Sequence, residues 1–329
     1  MDYLKKICEE SGKCAGKKMR ILFSGGEDRR ILTTCIELKK EGIITPIILG
    51  RRNDVEDTAK KTGIDFRDLD FVDIDGSPNF LDIVKSYMEI RNGQVTVEDA
   101  HKILRYTNYF GMMMLYNGYV DGFISGSENS VIDVVKPAMR IIGTESGIER
   151  VSGGVLMVKG EEIYLMADCF VHMDPDSDVL ADIAVETEET ARKLGMEPRI
   201  AMLSFSTKGS AKHELVDKVT VAAEKAKSMN PNMELDGELQ FDAAFVDSVG
   251  KQKAPGSKVA GKANVFVFPS LDAANIGYKI GQSLGGFRAV GTIIQGLKKP
   301  VGAICEEADE ETIMALAKVI AQLARKVGK

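Results

Sequence analysis

The sequence predicts an α/β protein of two α/β/α domains, each built on a mostly parallel sheet with helices on both faces. Three observations carry this expectation. Short apolar runs alternate with amphipathic stretches along almost the whole chain, which is the pattern of repeated βαβ units. The alternation breaks once, near Val151, where two apolar runs flank a tight turn. The length of 329 residues is enough for two cores.

Taken in order, Met19–Ser24 (MRILFS) reads as a strand, followed by a helix from about Glu27 to Lys40 and a second strand at Ile44–Leu49. Three helical patterns, Phe80–Ile90, Val97–Arg105 and Tyr109–Tyr116, precede a strand at Asp121–Ser125. The segment Ser125–Pro137 leaves that strand and opens another helix. Gly154–Val158 and Glu162–Met166 flank Lys159-Gly160-Glu161 as a β-hairpin, which places a domain boundary near residue 148. Alternation resumes with a strand at Ile200–Ser204, a helix over Lys212–Met229 and a strand at Val265–Phe268. Asp272 then opens a helix running to Leu284, and Ala289–Ile294 is a further strand. The last helix, about Asp309 to Lys326, begins acidic and ends with Arg325 and Lys326, as the helix dipole favours.

Composition narrows the function classes. A net charge of −6 argues against nucleic-acid binding as the main activity. Five cysteines (Cys8, Cys14, Cys35, Cys169, Cys305) without CxxC spacing indicate reduced thiols in a cytoplasm. The charged start, MDYLKKICEESGKC, does not read as a signal peptide, and no apolar run is long enough to span a bilayer. His101, His172 and His213 are scattered without ligand spacing, so no metal site is expected.

Two segments suit an anionic ligand. In KAPGSKVAGKANVFVFPSLDAANIGYK, from Lys253, two glycine-containing turns carrying Lys258 run into an apolar strand, and the helix beyond carries Asn275. Backbone amides in such turns, with lysines nearby, can hold a phosphate-bearing group. Ser206-Thr207-Lys208-Gly209-Ser210 follows the strand AMLS, where an open α/β sheet binds its ligands. The same serine and threonine also suit a helix N-cap. Arg91, closing SYMEIR, reads equally as a helix C-terminal arginine. Ser24-Gly25-Gly26 lacks the three-glycine spacing of a dinucleotide fingerprint.

These segments, with AMLSFSTKGSAK, Asp236-Gly237-Glu238-Leu239-Gln240 and Ala167-Asp168-Cys169, resemble the phosphate acetyltransferase (phosphotransacetylase) family in colinear order. The resemblance implies reversible acyl transfer between coenzyme A and inorganic phosphate, with acetyl as the default group and propionyl or butyryl as alternatives. It implies a homodimer with acetyl-CoA or CoA and phosphate or acetyl phosphate as its partners, and no tightly bound cofactor. The active site would lie in a cleft between a discontinuous first domain, 1–147 plus 301–329, and a second domain, 148–300. Arg91 aligns with an arginine that holds a phosphate of coenzyme A. Ser206, Thr207, Lys208, Gly209, Lys258 and Asn275 match binding blocks. SGSENSVIDVVKP resembles SGxxHSxxDxxRP, keeping Ser125 and Ser130 but placing Asn129 where histidine is common and Lys136 where arginine is. Lysine keeps the charge and loses the bidentate fork.

One segment departs from the pattern. Where the family reads PxNDLSRG, this chain has PVGAICEE. Cys305 stands at the serine position, Glu306 at the arginine and Thr312 at the aspartate proposed as base, with Asp309, Glu310 or Glu311 as nearby substitutes. Asp309 also suits the acidic first turn of a helix. Retention of the binding turns without this set is equally the pattern of a relative that binds acyl-CoA or acyl phosphate as a sensor.

Overall fold

A computed structural model describes residues 18–126, 128 and 130–327; Cys8, Cys14 and Asn129 lie outside the described residues. The chain forms two compact units, a split unit of residues 18–145 with 291–327 and a continuous unit of residues 146–290. Each is α/β.

The split unit opens with β1 (Met19–Ser24), whose last four residues are buried. Helix α1 (Arg29–Glu41) is started by Asp28, whose carboxylate accepts from the Arg30 N–H, and is stopped by left-handed Gly42. Its Ile31, Leu32, Cys35 and Leu38 share one buried face. Strand β2 (Ile44–Gly50) lies parallel to β1 with Met19 opposite Ile44. The pair α2 (Arg52–Thr62) and β3 (Asp70–Asp73), for which no element was expected, adds a further parallel strand. Then come α3 (Phe80–Arg91), α4 (Val97–Ile103) and α5 (Thr107–Tyr116). The fourth helix stops two residues short of the expected Arg105, and the fifth starts before Tyr109. Strand β4 (Gly122–Ser125) returns to the free side of β1, and α6 (Val131–Ile141) follows with Ser130 as its N-cap.

The continuous unit begins with the antiparallel pair β5 (Ser152–Lys159) and β6 (Glu162–Ala167). Lys159 pairs with Glu162, so the turn is the two residues Gly160-Glu161 rather than three. Helix α7 (Ser177–Lys193) was not expected, because its inward face carries Glu186, Thr187, Glu188 and Thr190 and breaks the apolar stripe. Next are β7 (Ile200–Leu203), α8 (Glu214–Met229), β8 (Leu235–Leu239), the short α9 (Phe241–Phe245) and α10 (Asp247–Lys253), and β9 (Val265–Val267). Helix α8 starts at Glu214, two residues after the expected Lys212. Helix α11 (Leu271–Ser283) is opened by Ser270, not Asp272: the Ser270 hydroxyl accepts from the Ala273 N–H. The sheet order is β5-β6-β9-β7-β8, parallel from β6 onward.

Strand β10 (Arg288–Gln295) carries the chain back into the split unit, where β11 (Val301–Ala303) pairs antiparallel to it and parallel to β4. The split unit's order is β3-β2-β1-β4-β11-β10. Helix α12 (Glu310–Ala324) then covers β1, β4 and α1. Among the described residues no helix is long and apolar enough to cross a membrane.

Candidate functional site

In the split unit the chain runs outward from β1 to β2 and β3, then crosses to β4 on the other side. Open α/β sheets bind ligands at such a switch point, outside the carboxyl ends of the strands. Ser24-Gly25 and Ser125-Gly126 meet there. The Gly126 N–H donates to the Ser24 Oγ at 3.0 Å, and a Cβ on Gly126 would stand 2.9 Å from the Ser24 carbonyl oxygen. Only glycine permits that approach. Ser125 is buried and its Oγ donates to the Asn108 Oδ1 at 2.8 Å, while the Asn108 Nδ2 donates to the Asp133 carbonyl. Ser130 caps α6, with its Oγ donating to the Asp133 Oδ2 at 2.6 Å, and Lys136 is exposed on the same helix. The Glu27 carboxyl is held above its usual range by burial, with Glu128, Asp54 and Asp28 adding to the effect.

The altered segment follows β11. The Ile304 N–H donates to the Ser125 carbonyl at 2.9 Å, so Cys305 emerges at the end of β4. Its Sγ lies 3.9 Å from the Gly291 carbonyl oxygen. Glu306 is exposed. Asp309 is the N-cap of α12: its Oδ1 accepts from the Thr312 N–H at 2.8 Å and the Thr312 Oγ1 at 2.5 Å. Arg30 organises the loop. Its Nη1 donates to the carbonyls of Glu306 (2.6 Å) and Ala308 (2.7 Å) while Asp28 grips the same guanidinium. Arg29 pairs with Glu310 at 2.9 Å. Elsewhere in this unit Arg91 ends α3. Its Nη2 donates to Gln94, but its buried Nε–H has no partner among the described residues.

In the continuous unit the Ser206–Ala211 loop leaves β7. Its six backbone N–H groups are all engaged within the protein: Ser206 with the Ser204 Oγ, Thr207 with the Ser210 Oγ, and Lys208 with the Glu238 carbonyl. The Gly209 N–H donates to the Glu238 Oε1 at 2.7 Å, Ser210 to the Thr207 carbonyl and Ala211 to the Ser206 Oγ. Glu238 also accepts from the Ser206 and Thr220 hydroxyls. Burial pushes its carboxyl up, and these hydrogen bonds outweigh that and hold it below its usual range. A carboxylate of the chain thus fills the loop's interior. The cationic side chain points elsewhere: the Lys208 Nζ bonds the Asp236 Oδ1 at 2.5 Å and the Gly237 carbonyl at 3.0 Å.

Asp236 joins the two lysine-bearing segments, because the Ser257 Oγ donates to its other oxygen at 2.5 Å. Lys258 is exposed beside Ser257, and Asn275 is half-buried on α11. The turn amides here are also taken, those of Val259 and Ala260 by the Ser257 Oγ and that of Gly261 by the Ala243 carbonyl. Gly261 serves packing, since a Cβ on it would stand 2.6 Å from the Asp247 Cα of α10.

At this carboxyl edge Asp168, part of the Ala167-Asp168-Cys169 block, and His172 form a pair that the sequence reading did not connect. Asp168, just past β6, is 2% exposed and accepts from the backbone N–H groups of Gly153, Phe170, Val171 and His172. Its Oδ2 lies 2.7 Å from the His172 Nδ1. The one signal available was the Asp-x-x-x-His spacing directly after a strand. Among the described residues no cluster of three or more His, Cys, Asp or Glu could hold a metal ion.

The phosphate acetyl/butaryl transferase family model matches residues 3–321. The phosphate acetyltransferase of Bacillus subtilis (strain 168) is 46% identical over 312 residues, covering 95% of this chain and 97% of that protein. Among solved structures, the EutD phosphotransacetylase from Staphylococcus aureus superposes with a TM-score of 0.88 at 43% identity, covering 98% of this chain and 99% of its own. A phosphotransacetylase from Streptococcus pyogenes gives 0.89 at 45%, with the same coverage.

Proposed function

The chain belongs to the phosphate acetyl/butaryl transferase family, and on that premise we propose that it transfers an acyl group, acetyl by default, reversibly between coenzyme A and inorganic phosphate. The observation that carries this is end-to-end similarity at 46% identity to a phosphate acetyltransferase. The reaction joins two anions and breaks a thioester, so positioning and charge stabilisation supply most of the acceleration. Loop amides that are already bonded internally leave side chains to meet the anions. Lys258 and Asn275, with Lys208 once it exchanges its Asp236 contact for the ligand and with Ser206, Thr207 and Gly209 shaping the loop, are the proposed ligand set in the continuous unit. Arg91, Lys136 and the turns ending in Ser125 and Ser130 are the set in the split unit. Cys305, Glu306, Thr312 and Asp309 stand at or near the family's reacting positions. The two compact units are taken as its two domains. A coupled assay for acyl phosphate formation from acetyl-, propionyl- and butyryl-CoA tests the proposal; no product from any of them defeats it.

A second reading is a relative that binds acyl-CoA or acyl phosphate without efficient turnover. The exposed Glu306 carboxylate, at a position where the resemblance calls for arginine, favours it. In either case our reading is a cytoplasmic homodimer. Support for the dimer is the apolar face of α11, where Ile276 and Ile280 are exposed with Leu284 just past the helix end, and Ile280 lines a cavity of about 440 Å³ with Tyr164, Phe245, Phe266 and Phe287.

A further inference from the structure

We propose that His172, oriented by Asp168, is the base that takes the proton of the coenzyme A thiol; this rests on the acyl-transfer reading above. The segment that carries the family's base presents Thr312, bonded to Asp309; Asp309 is spent as a helix cap, Glu310 pairs with Arg29, and Glu311 follows them in the first turn of α12. A histidine can do this work when one ring nitrogen is anchored and the other is free. Both conditions are met. The Asp168 carboxylate, held by four backbone N–H groups, acts as acceptor, so the His172 Nδ1 carries the proton and donates at 2.7 Å. That leaves the Nε2 lone pair unused, and no described residue bonds it. The side chain is 22% exposed, so the ring is fixed yet reachable.

The position suits a ligand as well. The loop carrying His172 leaves the carboxyl end of β6 and is tied to the next strand's exit by the Leu271 N–H, which donates to the Met173 carbonyl at 3.0 Å. The charged groups around the pair are few. Glu186 and Asp182 of α7 act on the same carboxylate cluster, and Lys218 of α8 is engaged by Asp174 at 2.8 Å. In the step itself the Nε2 takes the thiol proton and the thiolate attacks the acyl carbon of the acyl phosphate. A C–S bond forms as the C–O bond to phosphorus breaks, and phosphate leaves with the electron pair. In reverse, the imidazolium returns its proton to the departing thiolate.

His172→Gln tests this, with His172→Asn as the second variant should the first fail to fold. The expected loss is about 10²-fold or more in turnover, with the KM for coenzyme A within about twofold. Added imidazole should restore part of the rate in the variant and leave the parent protein unaffected. A second readout does not need turnover: the ultraviolet absorbance of the thiolate of bound coenzyme A, titrated with pH. The bound thiol should ionise at lower pH in the parent protein than in the variant. Identical titration curves, or a variant at full turnover, overturn the proposal, as does a rate loss that matches a loss of coenzyme A affinity and ignores imidazole. A parent protein that shifts the thiol titration yet makes no acyl phosphate defeats the acyl-transfer reading and leaves His172 as the thiol base. Absence of coenzyme A binding overturns both.

Discussion

Glu186→Gln should flatten the pH dependence of stability of the continuous unit. Glu186 sits on the inward face of α7, 2% exposed, with the Ser152 Oγ donating to it at 2.5 Å. Burial pushes its carboxyl from an ordinary 4.5 up to about 8, with Asp182 and Asp168 adding to the rise and the Ser152 hydrogen bond opposing it. The unfolded chain loses this proton near 4.5, whereas the folded chain keeps it to about 8. The contribution is therefore fully present below the unfolded value, shrinks as pH rises through the interval, and is gone above the folded one. Each pH unit inside that window corresponds to about 1.4 kcal/mol, so on the order of 4 kcal/mol separates about pH 5 from about pH 8. Glutamine keeps the shape and an acceptor for Ser152 but cannot ionise. Urea unfolding followed by far-ultraviolet circular dichroism at several pH values measures the effect, since the chain contains no tryptophan. The gap between parent and variant should shift by several kcal/mol in favour of the variant as pH rises. Parallel stability curves across that range would refute the argument, because they would mean that Glu186 is ionised in the folded state or solvated by water.

The family pattern at the altered segment can be restored with Cys305→Ser, Glu306→Arg and Thr312→Asp together. Turnover in the acyl phosphate assay should then rise by about 10² or more while coenzyme A affinity stays within about tenfold, and no gain would show that this segment does not limit the reaction. Light scattering at micromolar concentration should give twice the chain mass; replacing Ile280 on α11 and Leu284 just past it with lysine should give a monomer if that face is the contact. A monomeric parent protein would reject the dimer.

Strands such as MRILFS and IAML were legible because parallel strands buried on both faces read as continuous apolar runs. The α1 helix was legible from its apolar spacing. What escaped had a physical reason in each case. β3 is a half-exposed four-residue strand, and β11 is only three residues long, so neither gives a periodic signal. α7 buries Glu186 and Glu188, so polarity stopped tracking exposure. For the site, the sequence located the Ser206–Gly209 and Lys258 segments, and the structure links them through Asp236. It did not reveal that the loop amides would be consumed by Glu238 and by the loop's own oxygens. Hydrogen-bond partners 30 residues apart leave no local mark. The roles of Asp168 and Arg30 were hidden for the same reason, since they depend on which backbone groups surround them.

The geometry around PVGAICEE separates a chemical question from a structural one. A segment that had merely lost selection would be expected to leave unsatisfied groups, since buried polar atoms without partners cost stability. This one is well tied. Arg30 bonds the carbonyls of Glu306 and Ala308, Asp309 caps α12 through Thr312, and the Ile304 N–H holds the strand end to β4. The bonds to Arg30 use main-chain oxygens, so they survive any side chain at residue 306. Replacing Thr312 with aspartate keeps the backbone bond to Asp309 but sets a second carboxylate where the hydroxyl bonded it, a like-charge contact that the helix dipole offsets only in part. These main-chain bonds are therefore indifferent to whether glutamate or arginine occupies residue 306, while the Glu306 carboxylate also favours the charged Arg30 guanidinium. Exchanging them shifts the charge at this exposed position by two units, and that shift is felt both by the phosphate and by Arg30, which holds the loop.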